Sequence, residues 1–171
     1  MKMNSVTDVD FIQKVSEASR SGVKVDLIVR GICCILPGVT GYTDNVRVMS
    51  VVGRYLEHPR IFSFGNGNDQ KIYIGSADMM TRNTEKRVEV AAPILDQDIR
   101  RQINHYLKVM LSDNVKARVL GSDGKYRRKE QKEPYIDSQN VFMQEALQAK
   151  PPQEVPEKIG LLKRIGRIFS R

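Results

Sequence analysis

The sequence has no tryptophan, and its tyrosines and phenylalanines together make only 6% of the chain. That leaves little flat aromatic surface on which bases could stack, which argues against a single-stranded nucleic-acid platform. The two cysteines, Cys33 and Cys34, are neighbours. With no third thiol for either to pair with, a disulfide framework is excluded and a reducing cytoplasm is the natural location. No stretch reaches the ~20 apolar residues needed to cross a bilayer, and the opening Met1-Lys2-Met3-Asn4-Ser5-Val6 has no apolar core of the secretion-signal type. There is no phosphate-binding Gly-x-x-x-x-Gly-Lys loop, and Gly65 and Gly67 lack the third glycine of a dinucleotide fingerprint. Nor does any Cys/His cluster have zinc-ligand spacing. If this chain handles nucleotides, discrete side chains must do it.

What is present describes an ordinary globular chain. Its 171 residues suit one domain, and 40% hydrophobic with 28% charged residues is far from a disordered composition. The formal net charge of +8 points to an anionic partner: phosphate polymer, nucleic acid or acidic lipid. Half of that excess lies in residues 150–171, where six Lys and Arg residues face two Glu residues. Bulk charge alone is therefore a weak argument for the body of the chain.

Hydrophobic periodicity predicts a layered α/β domain. Thr7 and Asp10 resemble a capping box, and Phe11, Ile12, Val15 and Ala18 follow at helical spacing, with Gly22 suited to a left-handed cap. Strands are expected over residues 23–30 and 46–52, separated by an ordered loop carrying Pro37, Gly38 and Gly41, with a short turn or helical piece at 55–57. Residues 61–64 and 71–75 flank Asn66-Gly67, the strongest short hairpin signal. A two-residue turn there would set His58 opposite Gly75, beside Ser76. Further strands are expected over 87–94 and 116–120. Asp96 or Asp98 should cap a helix whose apolar side is Ile99, Ile103, Tyr106, Leu107 and Met110, and a last helix is expected over 137–149.

Two histidines exist. His105 falls on the polar side of its predicted helix and reads as a surface residue. His58 precedes Pro59 and a strand, and the residues alone leave both a structural and a catalytic role open. Arg30 ends a buried-looking strand and is followed by Gly31. Ligands commonly bind beyond the carboxyl ends of strands in α/β sheets, and a guanidinium there can hold phosphate oxygens bidentately, although a solvated strand end would look the same. Arg82, Lys86 and Arg87 follow the hairpin closely and would start near His58. Asp78 could orient an arginine or cap the turn at Thr81.

Several separated blocks then add up to a family. Residues 25–33 (Val-Asp-Leu-Ile-Val-Arg-Gly-Ile-Cys), 53–58 (Gly-Arg-Tyr-Leu-Glu-His) and 73–78 (Tyr-Ile-Gly-Ser-Ala-Asp) resemble segments of bacterial polyphosphate kinases. So do 80–83, 87–90, 113–118 and 123–126, in register from about residue 2 to about residue 139. The resemblance is to the C-terminal catalytic domain of that enzyme. It implies a phospholipase-D-like α/β fold over residues 1–149, a mixed β-sheet flanked by helices that would be the second of two related halves. Residues 150–171 would follow as a linker and tail. It implies reversible transfer of the terminal phosphate of ATP to inorganic polyphosphate through a phosphohistidine, with magnesium. The phosphohistidine and the residues holding Mg2+ belong to preceding domains with no matching positions here, so this chain alone is expected to be inactive and to hold no metal.

The resemblance also assigns candidate residues. His58 matches the family's second active-site histidine. Arg30 and His58 match its nucleotide-binding positions, and Arg87 matches an arginine lining the phosphate tunnel. Arg82, Ser76 and Asp78 stand as secondary candidates. Expected partners are ATP and ADP, inorganic polyphosphate, the upstream domains of the same enzyme and a second copy of the chain. Two other readings remain in view. One is a phospholipase-D-like phosphodiesterase fragment, which would need a lysine where His58-Pro59-Arg60 has arginine. The other is a non-catalytic polyanion-binding module using residues 125–129 and the tail. Pro151, Pro152 and Pro156 mark the linker, and residues 157–171 mix Ile, Leu and Phe with Lys and Arg. That pattern suits either packing on a neighbouring domain or contact with the anionic inner membrane surface.

Overall fold

A computed structural model describes residues 1–149. The expected linker and basic tail, residues 150–171, lie outside the described residues. The chain opens with a two-residue strand, β1 (Lys2–Met3), then helix α1 (Val9–Arg20) and strands β2 (Val25–Val29) and β3 (Val46–Ser50). Strands β4 (Arg60–Phe64) and β5 (Lys71–Gly75), a short helix α2 (Thr81–Glu85) and strand β6 (Ala91–Pro93) follow. Helix α3 (Gln97–Ser112), strands β7 (Arg118–Leu120) and β8 (Tyr126–Arg128) and helix α4 (Ser138–Gln148) complete the set.

The strands form one sheet in the order β6-β5-β4-β1-β2-β3-β7-β8. β1, β2 and β3 run parallel, while β4, β5, β6, β7 and β8 join by antiparallel pairing. The sheet is thus mixed and covered on both faces, which is the layered α/β architecture the sequence predicts. On one face Leu27, Val29, Val48 and Phe62 pack with Phe11, Ile12 and Val15 of α1. On the other, Ile28, Met49, Ile61 and Ile72 pack with Leu107 and Met110 of α3 and with Phe142 of α4. A central strand buried on both faces reads as a continuous apolar run, and β2 does. Each fully buried Leu or Ile contributes roughly 1.5–3 kcal/mol of transfer free energy.

Capping follows the sequence with one shift. The α1 cap is Asp8, whose carboxylate accepts from Phe11 N at 2.8 Å, rather than Thr7. Gly22 adopts the left-handed conformation expected of it, with φ 83°. Asp96 caps α3, accepting from Asp98 N and Ile99 N.

The β4–β5 hairpin departs from expectation. Arg60, not His58, stands opposite Gly75, and Phe64 stands opposite Lys71, two positions from the predicted register. Asn66 is extended at φ −146°, incompatible with a two-residue primed turn, and the loop closes through a 3₁₀ turn at Gly67–Asp69. Its base is fixed by Gln70, which exchanges two 2.8 Å amide hydrogen bonds with Asn104 of α3 and donates a third to Ser63. That tertiary anchor outweighs the local turn preference. Similarly, the strand expected from residue 87 starts only at Ala91, and residues 126–128, part of a run read as a free basic segment, form the edge strand β8.

One fully buried carboxylate joins the end of α3 to β7 and α4. Asp113 accepts from the backbone N–H of Val115, Lys116 and Ala117 and from both N–H and hydroxyl of Ser138. Burial alone would push its carboxyl up, but the Ser138 and backbone donors together hold it below the ordinary carboxylate range. Asp113→Ala should strand these donors and lower stability by about 3 kcal/mol, read as a shift in the urea midpoint. An unchanged midpoint would show that the junction does not depend on this carboxylate.

Candidate active site

The parallel strands β1, β2 and β3 deliver their carboxyl ends to one rim of the sheet, where Asn4 follows β1 and Arg30 follows β2. The two chains approach closely there. Gly31 N donates to Asn4 O at 2.7 Å, and a Cβ on Gly31 would sit 3.0 Å from that same oxygen, so glycine suits the position after Arg30. Arg30 Nε donates to Asn4 Oδ1 at 3.2 Å, which holds one edge of the guanidinium.

Asp78, 6% exposed, is the anchor of this rim. Its Oδ1 accepts from Asn4 N at 2.7 Å and Ser5 N at 3.3 Å, and the carboxylate also accepts from Asn4 Nδ2. Arg60 reaches it through Nε at 3.3 Å and a terminal nitrogen at 2.9 Å. Of the two roles left open by the sequence, orienting an arginine is the one observed. The N-terminus of α2 carries no side-chain cap. Burial works to raise the Asp78 carboxyl, yet Arg60 and Asn4 hold it below its ordinary value.

Around His58 the backbone is gripped by cations. Lys2, 1% exposed, sends its Nζ to within 3.4 Å of both Glu57 O and Pro59 O, and Arg60 donates to His58 O at 3.0 Å. Three successive carbonyls are therefore held by cations. Tyr106 of α3 donates to the Glu57 carboxylate at 2.7 Å, and Gln139 of α4 donates to it at 2.9 Å. Gln139 also exchanges 2.9 Å hydrogen bonds with the Tyr55 backbone. Burial, then the Glu57 carboxylate, pushes the Tyr106 phenol up. His58 itself is exposed, so its ring is presented to solvent by an immobilised backbone.

Arg87 and Ser76 meet through Glu89. The Glu89 carboxylate accepts from the Ser76 hydroxyl and from Asn83 Nδ2, and Arg87 Nε lies 3.8 Å from it. The Ser76 hydroxyl in turn accepts from Val90 N at 3.0 Å. Those donors, Ser76 foremost, lower the Glu89 carboxyl, as do the charges of Arg87 and Arg60. Arg30, the His58 backbone, Arg60, Asp78 and Asn4 are thus one bonded group. Arg87 joins it electrostatically through Glu89, and Arg82 is exposed on α2 with no side-chain partner among the described residues. His105 lies on the surface, as expected, and bonds Glu145 of α4 at 2.7 Å.

Sequence reasoning missed Lys2 and Asn4, since a two-residue strand carries no periodicity, and it missed the Arg60–Asp78 pair, which joins residues eighteen apart. The only available sign was a lysine between methionines in an otherwise buried-looking start. For magnesium, the donor set does not fit. Asp78 and Glu89 are committed to arginine, amide and hydroxyl donors, and among the described residues no three His, Cys, Asp or Glu side chains cluster.

The family model for polyphosphate kinase C-terminal domain 2 matches residues 1–139. The chain is 44% identical over 161 residues to polyphosphate kinase 1 of Chlorobaculum tepidum, covering 94% of this chain and 23% of that one. It is 55% identical over 125 residues to polyphosphate kinase of Bacillus cereus, covering 73% and 18%. The crystal structure of polyphosphate kinase from Porphyromonas gingivalis superposes with a TM-score of 0.81 at 38% identity, over 86% of this chain and 23% of that one. The chain therefore spans about a fifth of the length of the relatives it matches.

Burial of Lys2 makes a measurable prediction. Desolvation, offset by Glu57 and Asp78 but reinforced by Arg30 and Arg60, pushes its ammonium down to about 8. Between that value and the ordinary 10.5 the unfolded chain binds a proton that the folded chain does not, so stability should rise with pH across this window. Lys2→Met should flatten that rise relative to wild type, because the group whose protonation differs between the folded and unfolded chains is gone. Parallel urea titrations at neutral pH and near pH 10 measure the difference, and identical pH slopes would place the Lys2 ammonium in solvent instead.

Proposed function

The chain belongs to the polyphosphate kinase family, matching its C-terminal domain 2, and from that membership we propose that it supplies one wall of a phosphotransferase site. That site would move the terminal phosphate of ATP to inorganic polyphosphate and back. The observation that carries this reading is the bonded rim itself. Asp78 and Asn4 orient Arg30 and Arg60, while Lys2 and Arg60 hold the backbone on both sides of His58. In phosphoryl transfer there is little for a protein to do beyond positioning the reactants and neutralising charge as it spreads over the phosphate oxygens.

On this reading Arg30 binds phosphate oxygens with its terminal nitrogens, its Nε being held by Asn4. Arg87, exposed and only loosely paired with Glu89, neutralises the transferred group or the polymer behind it. His58 donates a hydrogen bond or a proton to the oxygen that departs from phosphorus, the part of a general acid. The histidine nitrogen that attacks the terminal phosphate, forming the family's phosphohistidine as the bond to ADP breaks, would come from another domain, as would the residues that hold magnesium. Ser76, Asp78 and Arg82 take supporting places: Asp78 as the orienter of Arg60, Ser76 through Glu89, and Arg82 as an outlying cation. The cytoplasm remains the proposed location. A phosphodiesterase reading is weaker because Arg60, standing where those enzymes need a lysine, is committed to Asp78.

His58→Ala in the complete enzyme should lower turnover by roughly 10²-fold or more, while the melting temperature stays within about a degree, because the ring is exposed. Arg30→Gln should act mainly on the KM for ATP. Near-normal turnover in the histidine variant would remove His58 from the chemistry.

A further inference from the structure

His58 sits in a stretch that regular structure does not hold. Between β3 and β4 the chain runs from Val51 to Pro59 without helix or strand. Among the described residues, no backbone-to-backbone hydrogen bond involves residues 53–58. Backbone polar groups in such a segment must find water or side chains instead. Lys2 and Arg60 take the carbonyls of Glu57, His58 and Pro59. The approach to the histidine, from Gly53 to Glu57, is taken by one residue of α4.

Gln139 is 7% exposed and is placed independently of the loop it holds. It is the second residue of α4, and the first, Ser138, is tied to the buried Asp113 through its N–H at 2.8 Å and its hydroxyl at 2.7 Å. The Gln139 amide gives its oxygen and both hydrogens to the loop. Oε1 accepts from Tyr55 N, and Nε2 donates to Tyr55 O and to the Glu57 carboxylate, each at 2.9 Å. Bonding both the N–H and the C=O of one residue is what a paired strand neighbour does, so this side chain replaces a missing strand. Gly53 leaves room for it: a Cβ there would lie 2.4 Å from Gln139 Oε1 and 2.8 Å from its Cδ. The far end of a glutamine swings easily, so a methyl group on residue 53 would displace the amide and spare the backbone.

We propose that Gln139 is a positioning residue for His58: by fastening Tyr55 and Glu57 to the first turn of α4, it sets where the imidazole stands relative to the transferred phosphate. This rests on the function proposed above and extends the machinery to a helix that carries none of the candidate residues. The His58 ring is exposed and has no hydrogen-bond partner among the described residues, so its place is set through its backbone alone. A shift of ~1 Å in such a group can slow a reaction by about 10²-fold. Joining α4 to the body does not need Gln139. Ser138 does that through Asp113, and Phe142 stacks on Tyr106 with ring centroids 4.7 Å apart.

The test is steady-state kinetics of the complete enzyme. In Gln139→Leu, turnover should fall about tenfold while the KM for ATP stays within about twofold, because the amide touches neither Arg30 nor Arg87. If Gln139 acts through His58, the same change in a His58→Ala background should cost less than about twofold. Equal losses in the two backgrounds would reduce Gln139 to general support and overturn the proposal. Gly53→Ala keeps Gln139 and only crowds its amide off Tyr55. It should reproduce the fall in turnover with the melting temperature within about two degrees of wild type, which decides the matter even if Gln139→Leu folds poorly. Wild-type turnover in Gly53→Ala would overturn the proposal. Glu145→Ala breaks a different bond of α4, to His105 at 2.7 Å, and should leave turnover within about twofold. A loss there equal to that in Gln139→Leu would trace the effect to the seating of α4 in general and overturn the proposal. Slow turnover in His58→Ala with normal turnover in Gln139→Leu would overturn this inference and spare the function proposed above, whereas near-normal turnover in His58→Ala would overturn both.

Discussion

A single carboxylate carries the geometry of the candidate site. Asp78 lies just beyond β5, yet it accepts hydrogen bonds from the backbone that leaves β1 and from the guanidinium that begins β4. That bond network fixes the backbone N–H and side-chain amide of Asn4, and Asn4 is what holds Arg30. Arg60 likewise owes its orientation to Asp78 before it can support the His58 carbonyl. A nearly buried arginine–aspartate pair is weak evidence of net stability, since desolvating both charges offsets most of their attraction. Its value here is directional: bidentate contact fixes a plane, and every other polar group on the rim takes its angle from that plane.

The cationic excess around His58 follows the same logic. Lys2, Arg30 and Arg60 converge on one end of the sheet against Asp78 and Glu57. Buried ammonium groups are unfavourable in isolation, which is why Lys2 is pushed down towards neutrality. Placing these dipoles and charges before a ligand arrives means that they need not reorganise when negative charge develops, and in a partly dehydrated cleft such preorganisation is worth more than the same contacts in water. The folding free energy lost at this rim is recovered in the two apolar layers beneath it, where α1 and α3 cover opposite faces of the sheet.

Much of this was readable in the residues. The helical spacing of Phe11, Ile12 and Val15, and of Leu107 and Met110, gave the two covering helices, because an amphipathic face has a period that tertiary structure rarely overrides. The apolar run ending in Arg30 gave the central strand. What escaped were features whose cause is not local. β1 has two residues, too few to show alternation, and owes its place to parallel pairing with β2. The hairpin register was set by Gln70 reaching Asn104 across to α3, not by Asn66-Gly67. No element was expected at β8, because Arg127, Arg128 and Lys129 mask a strand that exists through pairing with β7. At the site, Arg30 and His58 stood out by position, whereas Lys2, Asn4 and the Arg60–Asp78 bond required the fold to be known.

The division of labour on the rim then has a chemical reason. The side chains held most tightly, Asp78, Asn4, Lys2 and Arg60, touch other protein groups, and those least engaged are the exposed His58 ring and the terminal nitrogens of Arg30, which have no hydrogen-bond partner among the described residues. A group that must hand over a proton or accept phosphate oxygens cannot also be satisfied internally, because the internal partner would compete with the ligand at every turnover. The inner residues therefore supply order and the outer ones supply capacity.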